Sequence, residues 1–373
     1  MKRSLICCGD STNIETWSNI PYFVLKAGIK EGILNNGLRL NPKLLILQKI
    51  LWNTKQIIKT GLPGGFQYTK SFNKNLINQV NLEEDSDQSL LSHFPAIPYY
   101  PWSKKWNVAF YIDATTSQIF KDYDNSSRIS NKLKEEFISR EKHSYQKAYA
   151  IICMSDWAAN SVINDYGIDY KKVHVVPGGA NLEEEELKKV KVNIPCQPTP
   201  QKPLRIGFLG KDWERKGGGF LIKLTEELNQ QNIPTVIRAI GPDPKTIPSH
   251  PSIQALGFIN KQKDTLLFAS EICSWHFGTL FSSAEAFGIS NRECMRLGTP
   301  VITHDLGGIS STFPNSFCGK LFKRNPSVKE VSNWIIDHIT PYQNYLINRH
   351  ELSKCWNEFT WESSIKKVSL ILN

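Results

Sequence analysis

No stretch of the 373-residue sequence approaches the ~20 consecutive apolar residues that a membrane span requires. The N-terminal "MKRSLICCGDST" carries too short an apolar run for a secretory signal. The eight cysteines (Cys7, Cys8, Cys153, Cys196, Cys273, Cys294, Cys318 and Cys355) show no metal-ligand spacing. Free thiols in a reducing compartment are the expectation, and with it a cytoplasmic protein. No run of five or more Lys or Arg occurs, which disfavours a nucleic-acid arm. Gly-x-Ser-x-Gly and His-Glu-x-x-His are also missing, which argues against the common hydrolases. There is no internal repeat and no low-complexity tract.

What is present is ordinary globular composition, 40% hydrophobic and 21% charged, with a net charge of +10 spread along the chain. That sign attracts anions: nucleic acid, anionic lipid or phosphorylated small molecules. The length suits about two domains at ~150 residues each. Short β-branched runs alternate with helical patterns, which predicts parallel α/β units. Strands are expected at "SLICC", "WNVAFYID", "AYAIICMS" and "KVHVVP" in the first half. In the second half they are expected at "LRIGFLG", "PTVIRAIG", "SWHFGTLFSS" and "TPVITH". Helical patterns include "PYFVLKAGIKEGI" and "EEFISREKHSYQKA", and helix dominates from about Pro326. The acidic "NLEEDSDQS" reads as a loop. "EEEELKKVKVNIPCQPTPQKP" holds Pro195, Pro198, Pro200 and Pro203 and should resist regular structure. The expected domains are therefore 1–182 and 204–373, joined by a linker over 183–203. Ligands are expected beyond the carboxyl ends of the strands and in the cleft between domains.

Two constellations could carry chemistry. In "LRIGFLGKDWERKGGGFLIKL" a strand ends at Gly210 and a basic turn follows. Lys211, Arg215 and Lys216 then precede glycines 217–219 at a helix start, where a phosphate is favoured. This is neither a Walker motif nor a Gly-x-Gly-x-x-Gly fingerprint. The second stretch, "SSAEAFGISNRECMRLGTPVITHDLGG", sets Glu285 and Glu293 around Gly288 at the exit of a buried strand. Glu293 can be read as half of a Ser290-x-x-Glu293 capping box, and Glu285 as a solvated loop carboxylate. Alternatively both accept hydroxyls of a sugar or ribose, while amides near Gly288 and Ile289 face a diphosphate.

The same stretch resembles the Glu-x7-Glu signature of retaining glycosyltransferases with the GT-B fold, family 4 especially. Glu285 and Glu293 occupy the two glutamate positions, with Phe287-Gly288 between them and "GTPVI" following. "GFLGKDWERKG" resembles the family's G-R-x…K-G segment: Lys216 stands at its lysine, and Lys211 replaces the usual arginine. "VHVVPGGANL" and "CCGDSTNIETWSNIPYFVLKAGIKEG" resemble the strand before the linker and the first strand, acceptor loop and helix. The resemblance implies two doubly wound Rossmann-like domains, with the last helix (about 343–372) packing back on the first. It implies transfer of a sugar, with retention of anomeric configuration, from a UDP- or GDP-linked donor to a sugar, glycan or glycolipid acceptor. No metal and no nucleic acid is implied.

By the same resemblance, Glu285 and Asp113 are catalytic candidates, Glu285 holding the transferred sugar. Lys211, Lys216, Phe287, Gly288, Ile289 and Glu293 bind the donor, Glu293 at the ribose. Thr16, Trp17 and Ser18 form the acceptor loop. Two departures stand out. Ser18-Asn19 replaces a glycine pair near the donor phosphates, and Asp113 ends "AFYID" where the family often has histidine. A strand-end or N-cap role is the alternative for Asp113. A related epimerase or hydrolase, or a non-catalytic anion- or nucleic-acid-binding module, remains an alternative for the whole chain.

The Asp-x-Asp triplets at 85–87 and 122–124 sit in polar sequence and are expected to be loops. His304 is expected to be a satisfied strand-end histidine. "NPKLLILQKILWNTKQIIKTG" reads as a helix carrying Lys43, Lys49, Lys55 and Lys59. It could lie peripherally on the inner face of an anionic membrane. Packing on its own domain with the lysines outward is the commoner arrangement.

Overall fold

Among the described residues, two sheets of six strands, with all their strand pairings parallel, organise the chain. The structure is a computed structural model that describes residues 2–79, 89–93, 106–123, 129–190 and 194–372. Its contacts divide it into two units, Met1–Pro177 with Ser364–Asn373, and Gly178–Ser363.

In the first unit the strands are β1 (Arg3–Ile6), β2 (Asn36–Gly37), β3 (Ser89–Ser92), β4 (Asn107–Ile112), β5 (Ala150–Cys153) and β6 (Val173–Val175). Their order is β2-β1-β3-β4-β5-β6. The helices are α1 (Ile20–Lys30), α2 (Ile46–Thr60), α3 (Lys70–Ile77), α4 (Thr116–Asp122), α5 (Asn131–Lys147) and α6 (Asp156–Asn164). Strands β3 and β5 are buried throughout, as expected where helices cover both faces of a parallel sheet. Phe110 of β4 meets Tyr145 of α5 edge to face at 5.2 Å in that core.

The second unit holds β7 (Leu204–Leu209), β8 (Thr235–Ile240), β9 (Ile253–Gly257), β10 (Phe277–Leu280), β11 (Val301–His304) and β12 (Gly319–Phe322). Its helices are α7 (Glu184–Leu187), α8 (Gly218–Gln230), α9 (Thr265–Cys273), α10 (Ile289–Arg296), α11 (Val328–Ile339) and α12 (Tyr342–Lys354). The order β12-β11-β10-β7-β8-β9 reverses direction between β7 and β10. That is the position where open α/β sheets leave a crevice at the carboxyl ends of the strands. The final helix, α13 (Trp361–Leu372), joins the first unit from Ser364 onward. There Ser364 donates to the Pro177 carbonyl at 2.7 Å, and the Leu372 carbonyl accepts from Arg3 at 3.0 Å.

The segment expected to resist regular structure begins with the one-turn α7, whose Glu184 accepts from Arg296 Nε at 3.0 Å. The triplet at 85–87 lies outside the described residues, as does the last residue of the triplet at 122–124. Asp122 itself ends α4.

Period-2 alternation in β7 sends Leu204, Ile206 and Phe208 into one core layer, with Leu224 and Phe277. Gly207 faces the opposite layer, where the buried indole of Trp275 lies flat against it. A Cβ at 207 would stand 1.8 Å from Trp275 Cε3. Gly207→Ala is therefore expected to destabilise this unit by about 1–3 kcal/mol through overpacking. An unchanged denaturant midpoint would show that the ring can move aside.

Helix α2 touches its own unit through Trp52 and carries its lysines outward, but none of its residues is buried. Its apolar stripe, not its lysines alone, faces outward, and Leu47, Leu51 and Ile58 are exposed.

Candidate active site

The residues singled out in the second unit gather at the β7/β10 reversal. Beyond β7 the chain turns through Lys211–Lys216, anchored by buried Trp213, whose ring lies 4.7 Å from Phe208. The turn is held by Asp212, which accepts from the Arg215 amide through Oδ1 at 3.1 Å and from the Lys216 amide through its carbonyl at 3.2 Å. At Gly217, φ is +85° and a Cβ would sit 2.3 Å from the Phe281 carbonyl, so only glycine lets this turn close on the end of β10. Ser283 N–H donates to the Arg215 carbonyl at 2.8 Å, and Arg215 Nη1 donates to the Ala284 carbonyl at 2.7 Å. The two loops are thereby fixed to each other.

Glu285 sits at their junction. Its Oε2 accepts from Lys216 Nζ at 3.2 Å, Ser282 Oγ at 3.2 Å and Arg215 Nη1 at 3.4 Å. Arg215 and Lys216 are balanced in formal charge by Glu285 and by the more exposed Asp212, 3.4 Å from Arg215. Lys211 is placed differently: it is exposed, with Nζ 5.4 Å from the centre of the Phe258 ring.

Glu293, one turn into α10, is 1% exposed and pairs with Lys261 Nζ through Oε1. Burial raises its pKa, while Lys261 and then Lys216 pull it back down. The capping box does not form. The N-cap of α10 is Gly288, in a left-handed conformation with φ +93°, so Ser290 lies inside the helix and its buried Oγ has no hydrogen-bond partner. Phe287 is buried at 2% exposure, so its contribution here is to packing, while Ile289 starts the helix half-buried. The first amides of α10 lack intrahelical acceptors by construction and so provide a site for negative charge. His304 is satisfied as expected: Nε2 donates to the Ser282 carbonyl at 2.9 Å and Nδ1 accepts from Asn325 N–H at 3.3 Å. Those bonds fix one neutral tautomer, and burial lowers its pKa.

Residues 192–350 match the family model described as "Glycosyl transferases group 1". The matched residues lie within the second unit. With the first unit it makes the pair of Rossmann-like domains of the GT-B fold, which solved structures share at low identity. Sucrose-phosphate synthase from Thermosynechococcus elongatus aligns at TM-score 0.66 and 13% identity, over 100% of this chain and 98% of that one. Anabaena HepE in complex with UDP-glucose aligns at 0.64 and 13% identity, over 100% and 99%. TarM aligns at 0.55 and 14% identity over 81% of this chain, which spans 57% of TarM. No curated protein sequence matches. At these identities the neighbours establish the fold alone.

Lys261, in the loop after β9, is the member of the second unit's cluster that sequence reasoning missed. In the first unit the missed residue is His93, directly after β3 and beside the β4 end that carries Asp113. His93 is buried, and its Nδ1 donates to the Tyr111 carbonyl at 2.9 Å. Burial lowers its pKa against the opposing pull of Asp113. Asp113 is half-buried and is not an N-cap, since Thr115 caps α4 with Gln118 completing the box. After β1, Thr16 Oγ1 donates to the Asp10 carbonyl and Trp17 Nε1 to the Cys8 carbonyl, each at 2.7 Å. Trp17, Ser18 and Asn19 all have positive φ, of 42°, 55° and 71°. The residues standing where the family has glycines thus keep the left-handed backbone glycine would adopt, at a cost of roughly 1–3 kcal/mol each.

Proposed function

We propose that the protein transfers a sugar from a nucleoside-diphosphate donor to the hydroxyl of a sugar, glycan or glycolipid acceptor. The observation that carries this reading is the Lys216–Glu285 and Lys261–Glu293 pairing at the β7/β10 reversal, beside the N-terminus of α10. Polyhydroxylated and diphosphate groups need such a mixture of acceptors and cations. When the bond between the sugar and the diphosphate breaks, negative charge develops on the departing diphosphate, and preoriented cations and amides stabilise it. Lys216 and the exposed Lys211 serve that charge, with the amides from Gly288 and Ile289, the turn being held by buried Phe287. Glu293 accepts from ribose hydroxyls and Glu285 from hydroxyls of the transferred sugar. These fixed charges supply what a divalent metal would otherwise supply, so turnover is expected without one. Retention of configuration, a hexosyl donor, a cytoplasmic location and peripheral contact with a membrane's inner face belong to the same proposal. In the first unit, Asp113 is the catalytic candidate that orients the sugar or the acceptor, and the Thr16-Trp17-Ser18 loop is assigned to the acceptor.

The test is a panel of UDP- and GDP-sugars, with UDP-glucose first, assayed for acceptor-dependent release of free nucleoside diphosphate with and without EDTA. Release of free sugar without acceptor would favour a hydrolase, and sugar interconversion an epimerase. Stabilisation by short oligonucleotides but by no nucleotide would favour a nucleic-acid module. Activity abolished by EDTA and restored by magnesium would overturn metal independence.

Asp113→Asn is expected to lower kcat about a hundredfold while leaving nucleotide affinity within about twofold, because the contact matters chiefly in the transition state. Activity within about twofold of wild type, under ~0.5 kcal/mol of barrier, would make Asp113 structural.

A further inference from the structure

We infer that α2 is a docking element for an anionic lipid bilayer. The helix touches its own unit through a narrow face, and its aliphatic stripe points away from that face. Its least exposed positions are Gln48, Trp52, Asn53 and Gln56. Gln48 Oε1 accepts from Asn75 at 2.6 Å, and Trp52 Nε1 donates to the Gly64 carbonyl at 2.8 Å. The side fastened to the unit is thus Trp52, packed against the cluster that holds Leu45, Phe66 and Phe72, with polar residues around it. The opposite side presents Leu47, Ile50, Leu51, Ile57 and Ile58 to solvent, with Leu51 at 72% and Ile58 at 81% exposure. Leu44, in the turn before the helix, extends the same stripe.

A soluble protein rarely leaves so many adjacent aliphatic side chains uncovered unless something covers them in use. Charge selects the occupant. From Gly32 to Leu82 the sequence has no Asp or Glu, but it has Arg39, Lys43, Lys49, Lys55, Lys59, Lys70 and Lys74. Lys49, Lys55 and Lys59 are exposed on α2 itself. Aliphatic residues and lysines on one helix, with no acid in that stretch of sequence, match the boundary between acyl chains and anionic headgroups. A second copy of this chain seated on the same face would oppose lysines to lysines, which disfavours self-pairing.

The inference rests on the peripheral membrane contact already proposed and names the surface that makes it, and its test reads lipid binding without using transferase activity. The whole protein is expected to co-float with phosphatidylcholine vesicles containing phosphatidylglycerol, to bind pure phosphatidylcholine weakly, and to be released as salt rises. The triple variant Leu47→Gln/Leu51→Gln/Ile58→Gln should lose about tenfold or more of this binding, and Lys49→Gln/Lys55→Gln/Lys59→Gln should lose the anionic preference. Both sets lie on the solvent side, so melting temperature and nucleotide affinity should stay at wild-type values. No flotation of the wild type, or equal flotation of the triple variant, would overturn the inference. So would a dimer in light scattering that the triple variant dissolves, since α2 would then be a contact between copies. If the triple variant is unstable, Ile58→Gln alone and the lysine set decide the matter through the salt dependence.

Discussion

Lys216→Ala is expected to lower kcat/KM by about 10²–10³-fold, the range seen when one preoriented stabiliser of developing charge is removed. The stem of Lys216 lies across Gly210, where a Cβ would come within 2.2 Å of Lys216 Cδ, so the ammonium is delivered to its place by close packing. Nζ is then 3.2 Å from Glu285 Oε2 and is also felt by Glu293. On the proposed reading, this cation beside Glu285 meets the charge that develops on the leaving diphosphate. Affinity for a nucleoside diphosphate should fall far more than affinity for the free nucleoside, because only the former offers a charge-assisted contact. Stability should hardly change, since Glu285 keeps Arg215 and Ser282. Calorimetry showing equal losses for both ligands would remove Lys216 from the phosphate site.

The sequence disclosed what depends on local pattern. Central strands such as β4, β7 and β8 are β-branched, bounded by turns and buried, so alternation with helices revealed them. Strand β3 has only "SLLS" beside an acidic stretch, and β2 spans only Asn36–Gly37, so their pairing is decided by neighbouring strands and not by their own residues. Strand order was equally out of reach, because which strand lies beside β7 is a tertiary fact. The glutamate pair was legible through spacing, but the Ser290-x-x-Glu293 pattern misled about the cap. The left-handed Gly288 starts the helix two residues before Ser290 and turns Glu293 towards Lys261 instead. Lys261 lies 32 positions from Glu293 in an unremarkable "NKQKD", so no local signal marks it. His93 escaped notice because it follows a strand too short to be seen. For α2, periodicity shows that an apolar stripe exists but not which way it faces: the helix touches its own unit through Trp52 with its lysines outward, yet the aliphatic stripe is exposed as well.

Lys261→Met is expected to produce the largest loss of stability, about 3–5 kcal/mol at neutral pH, because it strands a buried carboxylate without its cation. Glu293 is 1% exposed, and Lys261 is its paired cation in the structure. The sign of the pH dependence follows from the raised pKa. A carboxyl whose folded pKa lies above its unfolded value binds more protons folded than unfolded in the interval between the two. Stability is therefore lost as pH rises through that interval and recovered as pH falls below it. Burial already raises the pKa of Glu293, and removing Lys261 takes away the main opposing influence, so the interval widens upward. The variant should accordingly suffer less in acid than near neutrality. In a Glu293→Gln background the same Lys261→Met change should cost little, since an uncharged amide leaves no buried charge to compensate. Denaturant midpoints for the four proteins of this cycle, at one acidic and one neutral pH, give the coupling directly. A Lys261→Met cost that is equal in both backgrounds and at both pH values would show that the ion pair is not its source. The same four proteins separate structure from recognition. If Glu293 accepts ribose hydroxyls, donor affinity should fall in Glu293→Gln even where the double variant regains its stability, because a glutamine nitrogen cannot accept the bond that a carboxylate oxygen does.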